Sequence, residues 1–384
     1  MKNIILVLLL AVSLASCLKQ NVDDSPALSG GSTSGTYNWS TIADTAELSL
    51  DYFWSPAGKY YLSSNTSSDW AQYWPQAHAL DVLTDAYLRN PSTTIKAKMT
   101  DLLTGVQAKN GGTMINYYYD DMEWMALASL RAYVATNDSH FKDVTDALWA
   151  DIKNGWSSDL GGGIWWRKDN PSKNTPSNMP AAILAARLYK IGGNSADLQW
   201  AQKIYDWERA TLYDPTTGLV YDNIDKNGVK NTDWKFTYNQ GTFLGAALEL
   251  YENTGSSAYL SDALQAADFT LNSGFLTSGG ILKDEGGGDG GLFKGIFVRY
   301  FTRLIVEGTF DASKKSDYVN FLRANGESLW SKGMNKSNLL FGSAWDKAPG
   351  SSTDLTIQLS GIMLELKLFL VPADSLRIQR GNLI

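Results

Sequence analysis

Beyond residue 38, apolar residues recur at three- and four-residue spacing along nearly the whole chain, the repeat of a helix with a buried face. The pattern predicts twelve helices, near 40–54, 72–90, 95–109, 120–137, 139–155, 176–192, 196–213, 237–254, 257–274, 290–308, 316–333 and 353–370. Even-numbered members recur at a period of roughly 45–60 residues, the signature of a repeat architecture. They share an ending: Leu83 and Tyr87, Leu130 and Tyr133, Leu184 and Tyr189, Leu248 and Tyr251. Polar or Gly-containing breaks follow, such as Arg89-Asn90-Pro91 and Gly192-Gly193-Asn194, as expected after a helix C-terminus.

The even members are apolar on most faces, as in the run Met179-Pro180-Ala181-Ala182-Ile183-Leu184, whereas those near 95–109 and 139–155 are amphipathic. A helix apolar all round is a buried one. Six inner helices enclosed by six outer ones give an all-α fold, the (α/α)6 barrel, a closed relative of helix-pair solenoids. An open superhelical array is the alternative, with shorter and more regular repeats. Loops entering the inner helices would then share one rim. They carry the unusual residues: Tyr117-Tyr118-Tyr119-Asp120-Asp121, Gly161-Gly162-Gly163-Ile164-Trp165-Trp166, Trp234-Lys235-Phe236-Thr237-Tyr238-Asn239-Gln240-Gly241 and Glu285-Gly286-Gly287-Gly288-Asp289-Gly290-Gly291.

The ends of the chain read differently. An apolar run from Ile4 to Leu14 leads into Leu14-Ala15-Ser16-Cys17, the layout of a secretory signal closed by a lipobox. Residues 1–17 are therefore expected to be a leader with lipid attachment at Cys17, and residues 18–37, Ser-, Gly- and Asp-rich, a flexible tether. The remainder, 38–384, reads as one domain. Leu18 after the cysteine offers no inner-membrane retention signal, so an outer-membrane or cell-surface lipoprotein is expected, touching the membrane only through its lipid.

Cys17 is the only cysteine and there are two histidines, so no disulfide, thiolate metal site or zinc arrangement is available. No cofactor is expected. A net charge of −7 without a basic cluster argues against a nucleic-acid partner. The 14 Trp and 19 Tyr supply flat apolar faces with polar edges, which suit sugars.

Asp120 and Asp121 stand where an inner helix begins. One aspartate there is an ordinary cap or dipole partner. Two in succession after three tyrosines raise each other's pKa, a cost that points to chemistry. Glycoside hydrolysis needs two carboxyl groups, and adjacent side chains can stand about 5 Å apart, the separation of a retaining pair.

Four segments in order resemble glycoside hydrolase family 76, the endo-α-1,6-mannanases and their fungal relatives, from about Trp39 to Leu370. They are Tyr118-Tyr119-Asp120-Asp121 with Trp124, Gly162-Gly163-Ile164-Trp165-Trp166, Thr237-Tyr238-Asn239-Gln240-Gly241-Thr242, and Phe293-Lys294-Gly295-Ile296-Phe297-Val298-Arg299-Tyr300. The resemblance implies an (α/α)6 barrel and a retaining reaction on α-1,6-mannan or its oligosaccharides, with Asp120 as nucleophile and Asp121 as general acid/base. Exo action, transglycosylation and a non-catalytic glycan-binding lipoprotein are the other readings. A monomer is expected.

Tyr119, Trp124, Trp165, Trp166, Asn178, Tyr238, Asn239, Gln240, Lys294 and Arg299 are the sugar-binding candidates. Trp165 and Trp166 either stack a mannose or seat their loop. Asn178, Asn239 and Gln240 either bind hydroxyls or cap helices. Lys294 and Arg299 either reach the sugar or form buried ion pairs. His78 reads as a packed residue, 214–223 as a turn and hairpin with no EF-hand spacing, and Gly286–Gly291 as a cleft-edge loop.

Overall fold

A computed structural model describes residues 37–371. Cys17, the leader and all but the last residue of the expected tether lie outside the described residues. Among these there are twelve α-helices: α1 (Trp39–Ser49), α2 (Tyr73–Arg89), α3 (Thr93–Lys109), α4 (Tyr119–Thr136), α5 (Ser139–Ile152), α6 (Met179–Gly192), α7 (Ser195–Thr211), α8 (Thr237–Thr254), α9 (Ser257–Asn272), α10 (Gly290–Glu307), α11 (Ala312–Ser328) and α12 (Leu355–Leu368). Each coincides with a helix expected from periodicity. The largest boundary differences are at the ends of α1 and α11, which stop at Ser49 and Ser328, and α11 also starts early, where the Asp311 carboxylate accepts the backbone N–H groups of Ser313 and Lys314.

The even helices contact one another in turn, α2 to α4, α6, α8, α10, α12 and back to α2, while each odd helix packs outside an even neighbour. This is the (α/α)6 barrel. Burial follows the sequence pattern: every residue of α12 is buried, whereas α5 buries only Phe141, Val144, Thr145, Leu148, Trp149 and Ile152. Small residues set the inner spacing. A Cβ on Gly241 of α8 would lie 2.5 Å from the Phe297 Cα of α10, closer than any side chain permits.

Four short ribbons decorate the connections: β1 (Trp54–Ser55) with β2 (Tyr60–Tyr61), β3 (Ser172–Asn174) with β4 (Asn223–Asp225), β5 (Thr277–Ser278) with β6 (Ile281–Leu282), and β7 (Met334–Asn335) with β8 (Leu340–Phe341). The ring is sewn shut where its first and last parts meet. Leu355 N–H donates to Ser63 O at 2.9 Å, Asn65 exchanges hydrogen bonds with Ser351 and Thr353, and Gln358 Nε2 donates to Ser49 Oγ at 2.6 Å.

Every inner helix contributes charge to a buried belt. Asp81 and Asp85 of α2 receive Arg131 of α4, Arg299 of α10 and Lys367 of α12, with Arg131 Nη2 2.6 Å and Lys367 Nζ 2.8 Å from Asp85. Glu249 of α8 receives Arg187 of α6 at 2.5 Å and Arg303 of α10. None of these eight residues is more than 7 % exposed. Arg299, a sugar-binding candidate in the sequence, is thus committed to Asp81 and Asp85 inside the barrel wall.

Burial alone would raise the Glu249 pKa, but Arg303 and Arg187 overcome it and hold the group at about 2. Its contribution to stability is therefore complete above the unfolded value of 4.5 and is lost as pH falls towards 2. Glu249→Gln strands the buried Arg187, leaves Arg303 only its pairs with Glu307 and Glu252, and is expected to cost about 3 kcal/mol at pH 7. Urea midpoints of the two proteins should converge as the pH drops below 4.5; a difference under about 1 kcal/mol at pH 7 would show that the belt does not hold the ring.

Candidate active site

The inner helices start on the face opposite the belt, and α4 brings the aspartate pair there. Its N-cap is Tyr118, which makes no side-chain cap, and Asp120 and Asp121 occupy the first turn. Neither is therefore the N-cap residue. Asp120 Oδ1 accepts the backbone N–H of Asp121 at 2.9 Å, and Oδ2 accepts the indole N–H of Trp166 at 2.9 Å.

Trp166 is delivered by the glycine loop. Gly163 has a φ of +89°, and a Cβ there would come within 2.7 Å of the Trp207 ring, so glycine is required. The strand-like segment that follows is laced to the start of α4: Tyr119 N–H donates to Trp166 O, Lys168 N–H to Tyr117 O, and Trp166 N–H to Ser172 O. The Arg167 guanidinium lies 4.8 Å from the Trp166 ring centre. Trp166 is thereby fixed as a hydrogen-bond donor to a carboxylate, a role that sequence reasoning did not give it.

Burial raises the pKa of both aspartates. For Asp120 the two N–H donors oppose that rise, and the value reaches about 7. Asp121 is pushed well above the usual carboxylate range by burial, then by the charges of Asp120 and Asp289. The first proton to leave the pair therefore leaves Asp120, so that one member is a carboxylate while its neighbour remains an acid. Two titratable groups driven apart by their surroundings form an acid/base arrangement.

Around the pair stand residues from four other loops and helix starts. Trp74 meets His78 edge to face with ring centres 5.5 Å apart, His78 lies tilted against Trp124 at 4.8 Å, and the Trp74 indole donates to Asp289 Oδ1 at 3.0 Å. Burial, with Arg299 nearby, lowers the His78 pKa well below the ordinary value and keeps the ring neutral. Tyr238 lies flat on Phe293 at 3.9 Å and donates to Asp222 Oδ1 at 2.9 Å. Asn239 Nδ2 donates to the same oxygen at 3.0 Å, and its own buried Oδ1 has no hydrogen-bond partner.

Other candidates hold the scaffold. Asn178 accepts from Ile164 N–H at 2.7 Å and donates to the carbonyls of Ile164 and Asn174. Gln240 clasps the backbone of Val220 from both sides. Trp165 is 6 % exposed, donates to Ser157 Oγ and carries the Lys173 ammonium over its ring, so it seats the loop. Tyr119 is buried against Gly155. Lys294 donates to Ser343 O and faces the Trp345 ring at 4.5 Å; burial lowers its pKa to about 8.

Asp222, Asp289, Trp74 and Phe293 were not singled out by sequence reasoning as site residues. Asp289 sits within the glycine run read as a cleft edge, and the lone acid in that run was the available signal. Asp222 adjoins a hairpin and carries no pattern of its own.

The family model for glycosyl hydrolase family 76 matches residues 39–371. The chain belongs to this family. Among solved structures, the α-1,6-mannanase GH76A of Salegentibacter sp. HEL1_6 is 43 % identical, covering 87 % of this chain and 100 % of that one with a TM-score of 0.85. An inactive variant of that protein, with two consecutive aspartates changed to asparagine, is 42 % identical over 87 % and 100 % of the two chains, TM-score 0.84, and holds α-1,6-mannotriose. The mannan endo-1,6-α-mannosidase DCW1 of Saccharomyces cerevisiae is 31 % identical over 156 residues, 36 % of this chain and 35 % of the yeast protein. The matched stretch is thus about a third of that curated relative's length.

Removing the indole donor should weaken the charged form of Asp120. A hydrogen bond to a carboxylate of about 1.5 kcal/mol corresponds to about one pH unit. In this family 76 protein, Trp166→Phe is therefore expected to raise the Asp120 pKa by about that amount. Carboxyl 13C titration of Asp-labelled protein reads the shift; an unmoved or lowered value would mean the bond does not bias the pair.

Proposed function

We propose that this protein is an endo-acting, retaining α-1,6-mannanase in which Asp120 is the nucleophile and Asp121 the general acid/base. The observation that carries the assignment of roles is the Trp166 hydrogen bond to Asp120, which favours a carboxylate there while Asp121 keeps its proton. The Salegentibacter relative, a mannanase made inactive by changing two consecutive aspartates, supports the substrate and the pair.

The chemistry follows from the two protonation states. An Asp120 oxygen attacks the anomeric carbon of a mannose unit as the bond from that carbon to the O6 of the next unit breaks. The Asp121 proton passes to the departing O6. Asp121, now a carboxylate, takes a proton from water, whose oxygen attacks the same carbon and releases Asp120. Two inversions leave the α configuration unchanged. Asn239 Oδ1, buried and unpaired, is a neutral acceptor suited to a sugar hydroxyl. We also propose, from Cys17 and the residues around it, that the enzyme works as a surface lipoprotein.

Incubation with unbranched α-1,6-mannan should give a ladder of oligosaccharides. Asp120→Asn and Asp121→Asn should each abolish it. Proton NMR of the first products should show α anomers; β anomers would refute the retaining mechanism. Mannose alone would indicate exo action, and binding without cleavage would indicate a glycan-binding protein.

The pH dependence has a stated direction on each side. Rate falls on the acid side as Asp120 takes up a proton, near pH 7 in the free enzyme. It falls on the alkaline side as Asp121 loses its own. A kcat/KM profile flat from pH 5 to about 9 would exclude these roles.

A further inference from the structure

The first turn of α8 and the loop before it carry a series of rings that grows more exposed away from the aspartate pair. Tyr238 and Phe236 are half-buried, and Trp234 is 53 % exposed. Ring centres step 6.0 Å from Tyr238 to Phe236 and 6.1 Å from Phe236 to Trp234. Each step is on the scale of a sugar ring. Tyr238 is the end that meets the acidic centre, bonded to Asp222 and within the field of Asp120 and Asp289.

The fold does not account for Trp234. Phe236 and Tyr238 already close over Phe293, at 5.1 and 3.9 Å, so the indole adds nothing to that cluster's seal. The loop keeps its shape through backbone and polar contacts. Asn231 Oδ1 accepts the backbone N–H groups of Asp233 and Trp234 at 3.0 and 3.2 Å, Asn231 N–H donates to Asn223 O at 2.9 Å, and Lys235 Nζ donates to Thr232 O at 2.7 Å. Among the described residues, Phe236 is the aromatic neighbour of Trp234, and no cation lies over the Trp234 ring, unlike those of Trp156, Trp165 and Trp166. The result is a large flat apolar face, held in place and open to solvent.

Such a face, presented without further ordering, suits a ligand with a flat C–H surface and hydroxyls at its rim. We propose that Trp234 is a distal sugar platform that stacks a hexose of the bound mannan beyond the units held at Asp120, so that the enzyme favours long chains over short ones. This rests on the mannanase reading. Phe236 then supports the platform from below, and Tyr238 with Asp222 forms its link to the reacting unit.

The test compares kcat/KM for polymeric α-1,6-mannan and for α-1,6-mannotriose in the full protein, with Trp234→Ala and Trp234→Phe. One aromatic stack corresponds to about fivefold to tenfold in an equilibrium constant. The ratio of long-chain to short-chain kcat/KM is expected to fall by about that factor in Trp234→Ala and to recover in Trp234→Phe, which keeps a flat ring. An unchanged ratio, whether both values hold or both fall, would overturn the platform, as would a loss that Phe does not restore. Should the wild type cut neither substrate, the mannanase reading fails; retardation of wild type but not of Trp234→Ala in affinity electrophoresis on α-mannan would still support the platform, and equal retardation would overturn it.

Discussion

Eight charged side chains meeting inside a ring of six helices are the constraint on which this molecule turns. Asp81 and Asp85 tie α2 to α4, α10 and α12; Glu249 ties α8 to α6 and α10. Because α10 supplies both Arg299 and Arg303, it joins the two halves. Buried ion pairs return little net free energy over apolar packing of the same volume, yet stranding one partner is expensive. We read the belt as a device of register: a helix that slipped by one residue would turn its charge into the hydrocarbon wall. The starts of the inner helices, which carry the reactive side chains, are fixed by that register.

On this footing, two chemically identical neighbours acquire different proton affinities. No metal or cofactor need distinguish Asp120 from Asp121; one indole N–H and one backbone N–H do so. The indole is only as well placed as its loop. That loop is positioned by a left-handed glycine, by backbone bonds to the start of α4, and by an asparagine whose amide is wholly engaged with main chain. A scaffold residue such as Asn178 therefore helps to set where the Trp166 indole meets Asp120.

All twelve helices were legible in the sequence, since a buried stripe or an all-apolar surface leaves a periodic mark. Of the site, the sequence offered the adjacent aspartates because two like charges beside three tyrosines conflict with an ordinary helix start. It could not tell an amide that clasps backbone from one whose buried oxygen is left without a partner, and Asn178, Gln240 and Asn239 look alike as letters. The direction of a side chain was equally hidden for Trp165 and Trp166, consecutive residues of which one packs inward and the other reaches Asp120. Arg299 sits in a matching segment, but its partners Asp81 and Asp85 lie two hundred residues earlier, beyond any local pattern.

The seam between the first and last parts of the barrel bears on the life of the nascent chain. A linear repeat protein can consolidate one unit at a time, each resting on the one before. Here α2 needs α12 as a wall, and Ser49, Ser63 and Asn65 need partners in the final stretch of the described fold. The earliest helices must wait, apolar faces uncovered, until the last has been made.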